Sequence, residues 1–230
     1  MLVWVGRLVV AAVVIDAAWL WMLWHNNPVA PAGPVPQSRF IRDYQTDRGR
    51  RPELPPLRWN PVALASIPEH VVSTFVLSED ARFFVHHGID VDAIRVAVQQ
   101  RLRTGGALRG ASTITQQTAK NLFLTPDRSW LRKWHESVLT LVLEAFLSKA
   151  RILEVYLNIA EFGVGVFGVD AAARHYWARP VSGLTATQAA ELAASLPSPH
   201  RHNPATRTAS FKRRAQHLYS RSMTETYPRG

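Results

Sequence analysis

SWLRKWHESVLTLVLEAFLSKARILEVYLN, Ser129 to Asn158, decides the fold class. Ser129 and Ser148 each stand just before an apolar-periodic run, where a hydroxyl caps the free amides of a helix start. After Ser129, the residues Leu139, Leu143, Phe146 and Leu147 recur at helical spacing and predict a core-facing stripe. After Ser148, the residues Ile152, Leu153, Val155, Tyr156 and Leu157 are mostly core. Arg151 and Glu154 stand at i, i+3 and Glu154 and Asn158 at i, i+4.

The same signals extend outward. Pro68 opens a helix towards Glu79, Asp90 caps one that ends at Gly105-Gly106, and Ser112 or Thr113 starts another through Asn121. Gly168 to Trp177, Thr185 to Leu196 and a basic helix from about Thr206 follow. Alternating strand patterns are scarce, so the fold class is all-α.

Leu8 to Trp24 is almost uninterruptedly apolar and long enough to span a bilayer. Arg7 points to a cytoplasmic amino terminus, and Trp19, Trp21 and Trp24 form an interfacial aromatic belt. Asp16 is the irregularity, because a carboxylate at that depth is costly unless paired, protonated or near an interface. A cleaved signal peptide is the alternative, with Pro31 spoiling the small-residue pattern at Ala30-Pro31-Ala32. The expected organisation is a transmembrane anchor over 1–25, a proline-rich linker over 26–39 and one domain over 40–230.

A net charge of +10, from 27 basic against 17 acidic residues, favours polyanions: anionic lipid, phosphorylated substrates or nucleic acid. An anchor that exports the domain argues against nucleic acid. With no cysteine there is neither a disulfide nor a cysteine-based zinc site, and the histidines show no ligand spacing.

Four blocks carry chemistry. In Glu79-Asp80-Ala81-Arg82-Phe83-Phe84-Val85-His86-His87-Gly88, the helix dipole and Asp80 both disfavour charge on Glu79, as a general base near neutral pH requires. Arg82 is expected to hold Asp80 ionised. The glycine-rich segment from Thr104, with Arg109, reads as a loop feeding a helix start whose amides suit phosphate or sugar oxygens. Ser112, Thr113, Gln116 and Gln117 follow, with Lys120 one turn beyond Gln116. Arg132, Lys133 and Glu136 share one helical face. They form either an intrahelical ion pair worth roughly 0.2–0.5 kcal/mol or a diphosphate and sugar site. The fourth block is the polar face of Arg151, Glu154 and Asn158, in which Glu154 reads as an orienting group.

In order and spacing these blocks resemble the signature motifs of glycosyltransferase family 51, which polymerises peptidoglycan strands. With the amino-terminal anchor they are most similar to its monofunctional members. The resemblance runs from about Ser66 to Pro204. Ser-Thr-Ile-Thr-Gln-Gln and Ile-Leu-Glu-Val-Tyr-Leu-Asn are nearly intact, and Ala111 stands where many relatives have glycine. No Ser-x-x-Lys is present, so no transpeptidase site is expected.

The resemblance implies a lysozyme-like, two-lobed helical domain outside the bacterial cytoplasmic membrane, on its periplasmic side. Its substrates would be lipid II and the nascent glycan strand, joined by an inverting β-1,4 transfer. Glu79 would be the base and Glu136 the second catalytic carboxylate. Substrate would be bound by Asp80, Arg82, Phe83, Arg109, Ser112, Thr113, Gln116, Gln117, Lys120, Arg132, Lys133, Arg151, Glu154 and Asn158. No cofactor is required, though relatives use a divalent cation such as Mg²⁺. Membrane lipids and other cell-wall synthesis proteins are the further expected partners. The rivals are a lysozyme-like peptidoglycan-cleaving enzyme and a non-catalytic protein that grips lipid diphosphate.

Overall fold

The helices form where caps and apolar periods coincide. The computed structural model describes residues 2–27, 29–105, 112–127 and 129–225. It contains α1 (Leu2–Asn26), α2 (Arg39–Arg50), α3 (Glu69–Glu79), α4 (Val91–Thr104) and α5 (Ile114–Phe123). After these come α6 (Trp130–Phe146), α7 (Lys149–Ile159), α8 (Val169–Trp177), α9 (Ala186–Ser195) and α10 (Ala209–Thr224). Ser129 and Ser148 cap α6 and α7 through their hydroxyls, and Asp90 caps α4. Thr113 rather than Ser112 caps α5, in a capping box with Gln116.

Two helix groups result, the two-lobed lysozyme-like arrangement that the motifs implied. In one, α3, α9 and α10 pack together; in the other, α5 packs on α6 and α7. Leu139, Leu143 and Leu147 line the core as expected. Phe146 does not: it is 62% exposed and meets the Trp24 ring at 5.5 Å. Its position one residue off the 139–143–147 row turns it towards α1.

Two features were not anticipated. α2 is polar overall, and its short apolar face of Phe40, Ile41 and Tyr44 packs on the core; Ser38 caps it. A small sheet of β1 (Arg58–Trp59), β2 (Glu161–Gly163) and β3 (Val166–Phe167) has the order β1-β3-β2, with β1 parallel and β2 antiparallel to β3. Gly168 ends this ribbon at φ 83°, and a Cβ there would sit 2.7 Å from the Asn158 carbonyl oxygen.

α1 is long and apolar enough to cross a membrane, with a mean hydropathy of 1.8 over Trp4–Asn26. The chain after it is not a free tether. Val29 and Ser38 are buried, and Arg151 on α7 donates to the carbonyls of Ala30 and Pro34 at 3.0 Å each.

Candidate active site

Glu79 ends α3, half-buried between the two helix groups. One carboxylate oxygen accepts from Gln117 Nε2 of α5 at 3.1 Å; the other accepts from Arg214 Nη2 of α10 at 3.2 Å and Ser78 Oγ at 3.1 Å. Its side chain keeps 12% of its surface, enough to meet a substrate hydroxyl. A cavity of about 240 Å³ opens there, and Glu79, Asp80, Arg82, Ser112 and Thr113 are among its lining.

Asp80 turns the other way. It accepts from His86 Nε2 at 2.9 and 3.0 Å and from the Ile114 amide at 3.0 Å, so a buried carboxylate fills the amino terminus of α5. Gly88 allows the following turn. Its φ is 84°, and a Cβ would sit 2.8 Å from Thr140 Cγ2 and 2.9 Å from Glu144 Cγ.

On α6, Glu136 is buried and accepts from Arg132 Nη1 at 2.7 Å and from Lys133 Nζ. Lys120 of α5 stands between the two glutamates. Burial pushes its ammonium below the ordinary lysine range; Arg132 and Lys133 act the same way, while Glu136 and Glu79 oppose. Among the described residues no carboxylate lies within ion-pair distance of Lys120 Nζ, and the ammonium sits 5.9 Å over the Phe40 ring. An under-neutralised cation beside two more cations and a half-buried carboxylate is equipment for an anionic leaving group.

A family model described as transglycosylase matches residues 54–223. The chain belongs to the transglycosylase family. It is 52% identical to a biosynthetic peptidoglycan transglycosylase of Rhodospirillum centenum over 158 residues, 69% of this chain and 67% of the relative. A protein of the same description from Marinomonas sp. is 47% identical over 171 residues, 74% and 72% of the two chains. Another, from Pasteurella multocida, is 50% identical over 157 residues, 68% and 63%.

Within this transglycosylase domain several residues expected at the substrate are bonded into the frame. Arg82 makes no ion pair with Asp80; it donates to Asp92 at 2.7 Å and lies 3.6 Å from Asp90, and it feels Asp80 only through longer-range charge. Phe83 is fully buried, edge-on to Phe84, with the Lys149 ammonium 4.5 Å above its ring. Gln116 is spent on the capping box, and Thr113 Oγ1 also donates to the Gly88 carbonyl at 2.5 Å. The α5 amides expected to meet phosphate are thus largely taken, by Asp80 and by Thr113. Glu136 makes the intrahelical ion pairs that its spacing offered, with both cations of its own helix.

The fourth block is framework as well. Arg151 pairs with Glu154 at 2.6 Å besides gripping the linker. Glu154 accepts from the Leu64 amide, and Asn158 exchanges hydrogen bonds with the Val62 backbone. Arg109 lies outside the described residues.

Two features escaped sequence reading. Arg214 is one of several cations on the basic carboxy-terminal helix, and only packing of α10 on α3 brings it to Glu79. Asp80, His86 and Asp90 gather three atoms of metal-ligating type within 4.8 Å. These carboxylates are already engaged, Asp80 by His86 and the Ile114 amide and Asp90 by the Ala93 amide.

Proposed function

We propose that this chain polymerises peptidoglycan, transferring the growing glycan from undecaprenyl diphosphate to the GlcNAc 4-hydroxyl of lipid II with inversion to a β-1,4 linkage. Glu79 takes the hydroxyl proton as the acceptor oxygen bonds to C1 of the donor MurNAc. The C1–oxygen bond to the diphosphate breaks on the opposite face, and its electron pair leaves with the diphosphate. Lys120, Arg132 and Lys133 receive that charge from fixed positions, and Arg109 joins them on the sequence evidence.

Gln117 and Arg214 aim Glu79, Ser112 offers a hydroxyl at the cavity, and Glu136 holds Arg132 and Lys133 in place. A divalent cation such as Mg²⁺ would add charge neutralisation at the diphosphate. Residues 1–25 anchor the domain, 40–230, on the outer side of the bacterial cytoplasmic membrane, with the start of α6 held against the anchor at membrane depth and 26–39 as a docked connector. Assembly with other cell-wall synthesis proteins belongs to the same proposal.

The observation that carries this reading is the half-buried Glu79 at a cavity, with Lys120 close enough to feel its charge and that of Arg132, Lys133 and Glu136. A cell-wall cutter needs the carboxylate but has little use for the cations. Lipid II incubated with the full-length protein in detergent should yield polymeric glycan, and the Glu79→Gln variant should yield none. Fragments from finished glycan, with no polymer from lipid II, would transfer the case to the hydrolase.

A further inference from the structure

Asp16 lies mid-way along α1, ten residues before Asn26, or about 15 Å inside the helix at 1.5 Å per residue. Val10, Val13, Val14 and Ile15 around it are exposed, as a lipid-facing helix requires. A carboxylate among them is costly unless partnered. It has partners: Asp16 Oδ1 accepts from His135 Nε2 at 2.5 Å, and Oδ2 from Trp134 Nε1 at 3.2 Å. Trp19, one turn further on, covers the His135 ring at 4.4 Å. Nearer the end of α1, Trp24 packs against Phe123 and Phe146 at 5.8 and 5.5 Å.

The location on α6 gives the contact its meaning. His135 is the first buried residue of α6; before it, Trp130 and Leu131 are exposed at 93% and 61%. The turn carrying Arg132 and Lys133 therefore has no apolar residue in the core. Trp134 and His135 sit between Lys133 and Glu136 in the chain, so whatever holds them sets that turn.

We propose that Asp16 is a positioning residue. Its clasp on Trp134 and His135 fixes the membrane helix against α6 and thereby sets the Arg132–Lys133–Glu136 group for the leaving diphosphate. The anchor is then part of the active site rather than a tether. This rests on the polymerase reading for its catalytic consequence, though not for the contact itself.

Asp16→Leu makes α1 more apolar, so loss of function cannot come from release of the protein from the membrane. In full-length protein reconstituted with lipid II, its kcat should fall roughly tenfold or more. KM should stay within about twofold, because the cations are needed most in the transition state. Asp16→Asn keeps the shape of the side chain and one acceptor oxygen, enough for His135 or for Trp134 but not for both, and should restore part of the rate. The chain has no cysteine, so a Trp24→Cys, Phe146→Cys pair reports α1–α6 packing directly through a short thiol crosslinker. Its yield should drop when Asp16→Leu is added. A wild-type rate from Asp16→Leu, or an unchanged crosslinking yield, would overturn the positioning role. If the wild type makes no polymer, the polymerase reading fails while the crosslinking arm still decides the clasp.

Discussion

Glu79 and Glu136 are both shielded carboxylates in ion pairs, yet they are held in opposite ways. Glu136 is gripped by Arg132 and Lys133, one turn earlier on its own helix. Glu79 is gripped by Gln117 of α5 and by Arg214, 135 residues away on α10, and it keeps a face to a cavity. A carboxylate satisfied within its helix is a brace for its cations. One satisfied from two other helices, and left partly open, is poised to take a proton. The dipole argument singles out Glu79 and the spacing argument gives Glu136 its two cations, but only tertiary packing shows what holds Glu79.

The sharpest way to break that distinction is to neutralise each glutamate in turn. Glu79→Gln should lower polymerisation by about 10²–10⁴-fold, the usual worth of a positioned base. Its melting temperature should hardly change, because the amide keeps a hydrogen-bond acceptor for Arg214. Glu136→Gln should do the reverse in kind. It strips a buried countercharge from two cations and should cost about 1–3 kcal/mol of stability, seen as a melting temperature several degrees lower. Any rate it loses would come through displaced cations. Equal rate losses with equal stability from the two variants would dissolve the comparison.

The fold was legible wherever a local rule decided it. Ser129, Ser148, Asp90 and Thr113 each cap a helix because a hydroxyl or carboxylate precedes an apolar period, and the structure needs each of them there. α2 was missed because its apolar face is only Phe40, Ile41 and Tyr44, one turn among charged residues, although Ser38 was a readable cap. Strands of two or three residues are too short to alternate, so the ribbon at Phe162 and Phe167 leaves no strand pattern in the sequence. The site was half legible. Glu79, Gln117 and the Arg132–Lys133–Glu136 face came from the motifs, whereas the capping duty of Gln116 and the linker grip of Arg151 depend on which donors happen to remain free.

A smaller effect tests the long-range side. Arg214→Ala should lower kcat by about fivefold, equivalent to the roughly 1 kcal/mol typical of an exposed charged hydrogen bond. Ser78 and Gln117 still hold Glu79, so the loss stays modest. Arg214→Lys should recover part of it, since an ammonium restores charge without the planar fork. A variant indistinguishable from wild type would return Arg214 to the solvated face of α10.

The smallest expected effect concerns Lys120, which lies between the two regions. Burial, reinforced by Arg132 and Lys133, disfavours its ammonium and lowers its pKa from 10.5. Its charge is therefore lost, as pH rises, sooner than an ordinary lysine's. If that charge receives diphosphate, the rate must fall on the alkaline side through the lowered value, and Lys120→Arg should carry the same limb to higher pH. Near neutral pH both proteins are charged and their rates should agree within about twofold. Stability moves the other way. The folded state binds this proton less tightly than the unfolded chain, so the penalty on folding is full at low pH. It is relieved as pH climbs from the lowered value towards 10.5. Wild type should thus gain stability relative to Lys120→Arg over the alkaline interval in which it loses rate. Superimposable alkaline limbs would show that the cation between the two glutamates is not used in turnover.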